Sequence, residues 1–125
     1  MNKIVRILVA LAATIFVVTA LRYVVDPAGA AAQFGMPLLD GVGRSSQLGD
    51  MTAYFLSLGI FISMALITSK RSWYYPPAIM LALTAVFRLL AWLLHDAALA
   101  PDMIGAEIVI AILLLVAAGR LPDKD

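Results

Sequence analysis

A chain of 125 residues in which 63% are hydrophobic and 14% charged is too apolar for a soluble domain, where about 45–50% apolar and about 25% charged residues are usual. A net charge of +1 excludes a strong basic footprint for nucleic acid, and the absence of cysteine excludes disulfides, thiolate metal sites and thiol catalysis. The length suits a single domain, an integral membrane domain over residues 1–125, and a mean hydropathy of +0.98 points to lipid as its solvent.

Four apolar runs, about residues 4–25, 48–68, 74–95 and 103–119, each reach the roughly 17–25 residues that cross a bilayer as a helix. The first opens with "MNKIVR" and then "ILVALAATIFVVTAL", a basic and an apolar region like those of a secretory signal, with "VTA" as a weak cleavage site. Its apolar character continues to Val25, so we expect it to be retained as a span. In the loop that follows, "DPAGAAAQFGMPLLDGVGR", Pro27 can start a short helix with Ala28, Ala30, Ala31, Ala32 and Phe34 on its apolar side. Gly35 and Pro37 would stop it, and such a helix is expected to lie on the outer leaflet. Ser45 or Ser46 can cap the second span, and Asp102 the fourth, each offering an acceptor to an unpaired N–H.

A tight "TSKRS" turn joins spans two and three, and "DAALAPD" joins three and four, so these spans should be antiparallel neighbours. Trp73, Tyr74 and Tyr75 suit a membrane interface, and Pro76 and Pro77 suit a first helical turn, where a missing N–H costs nothing. The fold class expected is all-α, a four-transmembrane-helix bundle, because four uniformly apolar spans do not make a barrel. Lys3, Arg6, Lys70, Arg71, Arg120 and Lys124 fall on one side of the membrane; only Arg22 and Arg44 fall on the other, beside Asp26, Asp40, Asp50, Asp96 and Asp102. That asymmetry places both termini in the cytoplasm.

Arg88 breaks the apolar pattern in "FRLLAWLLHD", although an arginine at mid-span costs roughly 2.5–3.5 kcal/mol on insertion scales. At about 100° per residue, Thr84, Arg88, Trp92 and His95 share one face of span three. Asp50, Tyr54, Ser57 and Thr68 share one of span two, with Phe61 and Met64 between them, and Glu107 shares one of span four with Ala111, Leu114 and Ala118. A rise of 1.5 Å per residue puts Glu107 about 7 Å inside its span and Arg88 about 10 Å from His95, both toward the outer side. Asp50, Arg88, His95, Asp96 and Glu107 are therefore expected to converge in the outer half of the bundle.

Three readings of Arg88 stay open at this point; the first two are a structural ion pair with Glu107 or Asp50, and a polar pocket in which Arg88 meets an anionic or carbonyl group. A third is an arginine snorkelling outward without a partner. His95 suits a helix C-terminus, where the dipole favours a cation, and its acid–base use with Glu107 is chemically feasible. One histidine with scattered carboxylates lacks metal-ligand spacing, so no metal and no cofactor are expected. Tyr54 and Ser57 suit interhelical hydrogen bonds, and the methionines suit packing.

The stretches "DPAGAAAQFGMPL", "SQLGDMTAYFLSLGIFI", "SWYYPPAIMLALTAVFRLLAWLLHDAALA" and "AEIVIAILLL" resemble a family of small bacterial four-helix membrane proteins of unknown function, loosely DoxX-like. The shared pieces are Asp26-Pro27 after span one, Gly35-x-Pro37, Arg88 and Glu107. Where relatives often carry an arginine early in span two, this chain has Asp50. The resemblance implies a four-helix bundle in the bacterial inner membrane and supplies no reaction. The expected function is a non-enzymatic accessory or assembly partner of a larger membrane system, meeting another membrane protein or copies of itself in the bilayer. The alternative is a protein, an enzyme among the options, that binds a small apolar or anionic molecule or a lipid through Asp50, Tyr54, Arg88, His95, Asp96 and Glu107. Transport through one narrow bundle is the weaker expectation.

Overall fold

The computed structural model describes residues 2–123, so Lys124, counted in the charge asymmetry above, lies outside the described residues. The described residues are helical and contain no strand. In chain order they form α1 (Asn2–Val25), α2 (Pro27–Gln33), α3 (Gly41–Thr68), a 3-10 turn (Arg71–Tyr74), α4 (Tyr75–His95) and α5 (Pro101–Arg120). Four segments are long and apolar enough to cross a membrane: α1, α3, Arg71–His95 and α5. Large apolar side chains stay uncovered along them, among them Ile7, Ile15, Phe87, Leu94, Val109 and Ile112. Water would penalise such a surface, whereas hydrocarbon accepts it.

Contacts divide the chain into two compact units, residues 11–60 and a second made of residues up to 10 with 61 onward. In the unit of residues 11–60, rings set the packing. Phe34 stacks on Phe55 at 5.0 Å, and Phe55 also meets Phe16 at 6.1 Å and Tyr23 at 6.2 Å. Phe34 comes from the end of α2, so this contact brings the short helix onto α3. The α1–α3 approach is close because Gly59 has no side chain. A Cβ there would collide with Val17 Cγ2 and stand 3.3 Å from the Val17 nitrogen and 3.4 Å from the Ala13 oxygen. Ala12, Ala13 and Ala20 are buried nearby in sequence on α1, the small-residue pattern that lets apolar helices approach.

Local chemistry sets the bounds of α2. The Asp26 carboxylate accepts from the Gly29 N–H at 3.2 Å, and Pro27 occupies the first turn. At the other end Gly35 turns left-handed with φ 75°, and the N–H groups of Gly35 and Met36 donate to the carbonyls of Ala32 and Ala31. That pair of bonds is the Schellman arrangement, which satisfies carbonyls a helix end leaves open. Arg22 ties the helix back to α1, donating to Gln33 Oε1 at 2.9 Å and lying 3.9 Å from Asp26.

Two expected caps are corrected. Ser45 and Ser46 lie inside α3, which begins at Gly41, about two turns earlier than the apolar run suggests. The early start is held by Asp40, whose carbonyl accepts from the Arg44 N–H, and by Arg44 Nε, which donates to the Leu39 carbonyl at 2.7 Å. Asp102 does not cap α5: Ala100 takes the cap position without a side-chain bond, and Asp102 follows Pro101 in the first turn. There the carboxylate still faces the positive end of the helix dipole.

In the other unit α4 and α5 pack along a seam. α4 buries Pro77, Ala78, Leu81 and Ala85, and α5 buries Ala111, Leu114, Ala117 and Ala118. Pro76 and Pro77 sit in the first turn of α4, where no helical N–H is lost. Asp96 ends α4 in the left-handed region at φ 58°, a conformation an aspartate tolerates better than most residues. A five-residue connection then returns the chain antiparallel as α5. At the far end Arg71 Nε donates to the Ala118 carbonyl at 2.6 Å, and Asp123 accepts from the Arg71 N–H at 3.2 Å. The turn before α4 is thus fastened to the last turn of α5.

Candidate functional site

Arg88 follows the buried stripe of α4, three residues beyond Ala85, and so stands at the edge of the α4–α5 seam. Glu107 holds the same place on α5, four residues before Ala111. The antiparallel register brings the two level. Arg88 Nε donates to Glu107 Oε1 at 3.0 Å and Oε2 at 3.1 Å, so one N–H is shared between both carboxylate oxygens. The side chains are 28% and 14% exposed. An opposite charge at this distance offsets much of the cost of holding each ion away from water.

The guanidinium makes this contact through Nε alone. Within its own unit, and among the described residues, its two terminal amino groups have no recorded partner, which leaves up to four N–H donors for other acceptors. Thr84, one turn earlier on the same face, donates its hydroxyl back to the Met80 carbonyl at 2.7 Å.

The remaining candidates are placed as follows. His95 is the last residue of α4 and Asp96 its cap, and both are exposed. Among the described residues of their unit, neither makes a side-chain hydrogen bond or ion pair. Asp50 and Tyr54 belong to the other unit, on α3. Asp50 is exposed, and Tyr54 is half-buried with its ring edge-on to Phe55 at 5.1 Å. The structure therefore brings Arg88 and Glu107 together, describes His95 and Asp96 at the end of α4, and describes Asp50 and Tyr54 within their own unit. Among the described residues no group of three or more His, Cys, Asp or Glu could hold a metal ion.

The seam has a second, different edge. A groove of about 370 Å³ runs between α4 and α5, lined only by apolar side chains that include Ala82, Leu89, Ile108 and Ile112, with Ala85 and Ala111 beneath. At about 100° per residue Ala82 and Leu89 fall to one side of Ala85 while Arg88 falls to the other. The charged pair and the groove thus occupy opposite edges of one helix pair.

Two polar residues escaped the reading of the sequence. Gln47 is buried: its Oε1 accepts from the Leu39 N–H at 2.9 Å, and its Nε2 donates to the Pro37 carbonyl at 3.0 Å. One amide side chain thereby fixes the loop before α3, and the only signal for it was an uncharged polar residue opening an apolar run. Tyr23 is the other. Its ring packs beside the Phe34–Phe55 pair, 6.3 Å and 6.2 Å from the two centroids, yet among the described residues its buried hydroxyl has no hydrogen-bond partner. No protein-family model, curated protein or solved structure matches the chain.

Proposed function

We propose that this chain is a multi-pass protein of the bacterial cytoplasmic membrane, with both termini in the cytoplasm, that serves as an accessory or assembly partner of a larger membrane system. The observation that carries this reading is the Arg88–Glu107 pair. A charge that the chain neutralises itself, at an edge of a helix seam, acts as a register pin between helices. The long uncovered apolar faces of α1, α4 and α5 offer further helices a surface within the bilayer. The resemblance to the loosely DoxX-like small membrane proteins favours the same reading, with α2 lying on the outer leaflet. A photo-crosslinking residue at Phe87 or Val109, both exposed on the spans, tests it in cells. A discrete adduct to another membrane protein, or to a second copy, is expected; adducts to lipid alone at every exposed position would overturn the proposal. The topology is tested separately: Ala98→Cys, in a chain without cysteine, should label from the periplasm.

One observation favours a second reading, a binding protein for a small anionic or lipid molecule. The terminal amino groups of Arg88 remain unengaged within their unit, and a guanidinium suits a carboxylate or phosphate. In that reading Glu107 orients Arg88, and the free edge of the guanidinium meets the ligand. A double variant, Arg88→Leu with Glu107→Gln, separates the two. Retained cellular function supports the pinning role, and a stable but inactive protein supports binding.

A further inference from the structure

Charge is unevenly distributed along the unit that contains α4 and α5. At the end with the 3-10 turn, Lys70 and Arg71 are exposed beside the last turn of α5, where Arg120 is also exposed. The first turns of α1 belong to the same unit and carry Lys3 and Arg6, both exposed, and the Arg6 charge acts on Tyr74 in the 3-10 turn. Three stretches far apart in sequence therefore contribute five cations to one end. Among the described residues of this unit, Asp96 and Asp102 lie at the opposite end, and Asp123 is the acid beside the cations. Trp73, half-buried and stacked on Phe61 at 6.0 Å, and Tyr75, 42% exposed, add amphipathic rings at the same level.

We propose that this end is a collar for the headgroups of anionic phospholipids, in which Lys3, Arg6, Lys70, Arg71 and Arg120 draw phosphates to the rim of the helices while Trp73 and Tyr75 sit at the level of the ester region. The proposal rests on the chain spanning a bilayer and is independent of its partner. Several cations within one Debye length of a negatively charged leaflet act together, and their effect falls with salt. Arg71 lies 3.9 Å from the Asp123 carboxylate, which offsets its charge, so Lys3, Arg6, Lys70 and Arg120 carry most of the attraction.

The two tryptophans make this measurable, because Trp73 marks the collar and Trp92 lies near the opposite end of α4. The full chain is reconstituted into vesicles of phosphatidylcholine and phosphatidylglycerol in which one lipid or the other carries brominated acyl chains, which quench nearby tryptophan. With Trp92→Phe, leaving Trp73, brominated phosphatidylglycerol should compete for the site better than brominated phosphatidylcholine by about fivefold or more, the effect of one well-placed cation. With Trp73→Phe, leaving Trp92, the two lipids should quench alike. The preference at Trp73 should vanish in a chain carrying Lys3→Gln, Arg6→Gln, Lys70→Gln and Arg120→Gln. If that chain does not fold, 0.5 M salt added to the parent, which shortens the Debye length from about 30 Å in a 0.01 M buffer to about 4 Å, should remove the preference instead. Equal quenching at Trp73, an equal preference at Trp92, or a preference indifferent to both charge removal and salt overturns the collar. Loss of the preference to inorganic phosphate at constant ionic strength would replace it with a discrete phosphate site. Absence of quenching at both tryptophans would instead refute the membrane-spanning reading.

Discussion

Replacing Arg88 with leucine removes the cation paired with Glu107 and leaves a carboxylate that is 14% exposed. Breaking a buried ion pair on one side costs about 3–5 kcal/mol, and the 28% exposure of Arg88 argues for the lower end, about 3 kcal/mol. For a chain of 125 residues, at about 4 °C per kcal/mol, the midpoint of thermal unfolding should fall by about 12 °C. Adding Glu107→Gln removes the stranded charge, and the double variant should return to within about 1 kcal/mol of the parent, since an apolar side chain beside a neutral amide needs no counter-ion. The assay is thermal unfolding in nanodiscs, followed by near-ultraviolet circular dichroism for the parent, both single variants and the double. Strong non-additivity, with the double more stable than Arg88→Leu alone, is the expected signature. Losses that simply add would refute the argument, because they would mean that the two side chains stabilise the protein independently.

Other changes test other parts of the fold. Ala100 holds φ 50° ahead of Pro101, a left-handed conformation that costs an alanine about 1 kcal/mol, so Ala100→Gly should raise the unfolding midpoint and Ala100→Val should lower it. Gly59→Val should destabilise by about 1–3 kcal/mol, because the new side chain meets Val17 and the backbone of α1, and a smaller loss for Gly59→Ala would mark the graded overpacking. Gln47→Leu leaves the Leu39 N–H and the Pro37 carbonyl without their partner and should raise hydrogen exchange across residues 36–40 while the α4–α5 seam stays protected. Tyr23→Phe removes a hydroxyl that has no partner among the described residues and should leave stability unchanged or raise it by up to about 1–3 kcal/mol. A clear loss from Tyr23→Phe would mean that the hydroxyl is engaged in the membrane.

The helices themselves were legible from the sequence because a span must satisfy every backbone group internally, which turns length and apolarity into a reliable signal. The apolar runs at 4–25, 74–95 and 103–119 fall on α1, α4 and α5 to within a few residues. The Arg88–Glu107 pairing was also within reach: two ionisable residues at similar depth, on spans joined by a short turn, have few other ways to be satisfied. Periodicity, however, assigns a residue to a face and not to a partner, so it left Asp50 and Glu107 equally available to Arg88. Tertiary structure decided what depends on groups that exist only once the chain has folded. Gln47 became a clamp because the loop offered it the Leu39 N–H and the Pro37 carbonyl, and Arg71 found the open carbonyl of Ala118 at the end of another helix. The same holds for α3, which starts at Gly41 and encloses Ser45 and Ser46 because Arg44 and Asp40 close its first turn against the loop. Those acceptors and donors are backbone atoms, identical in every residue, and only their positions in space make them specific.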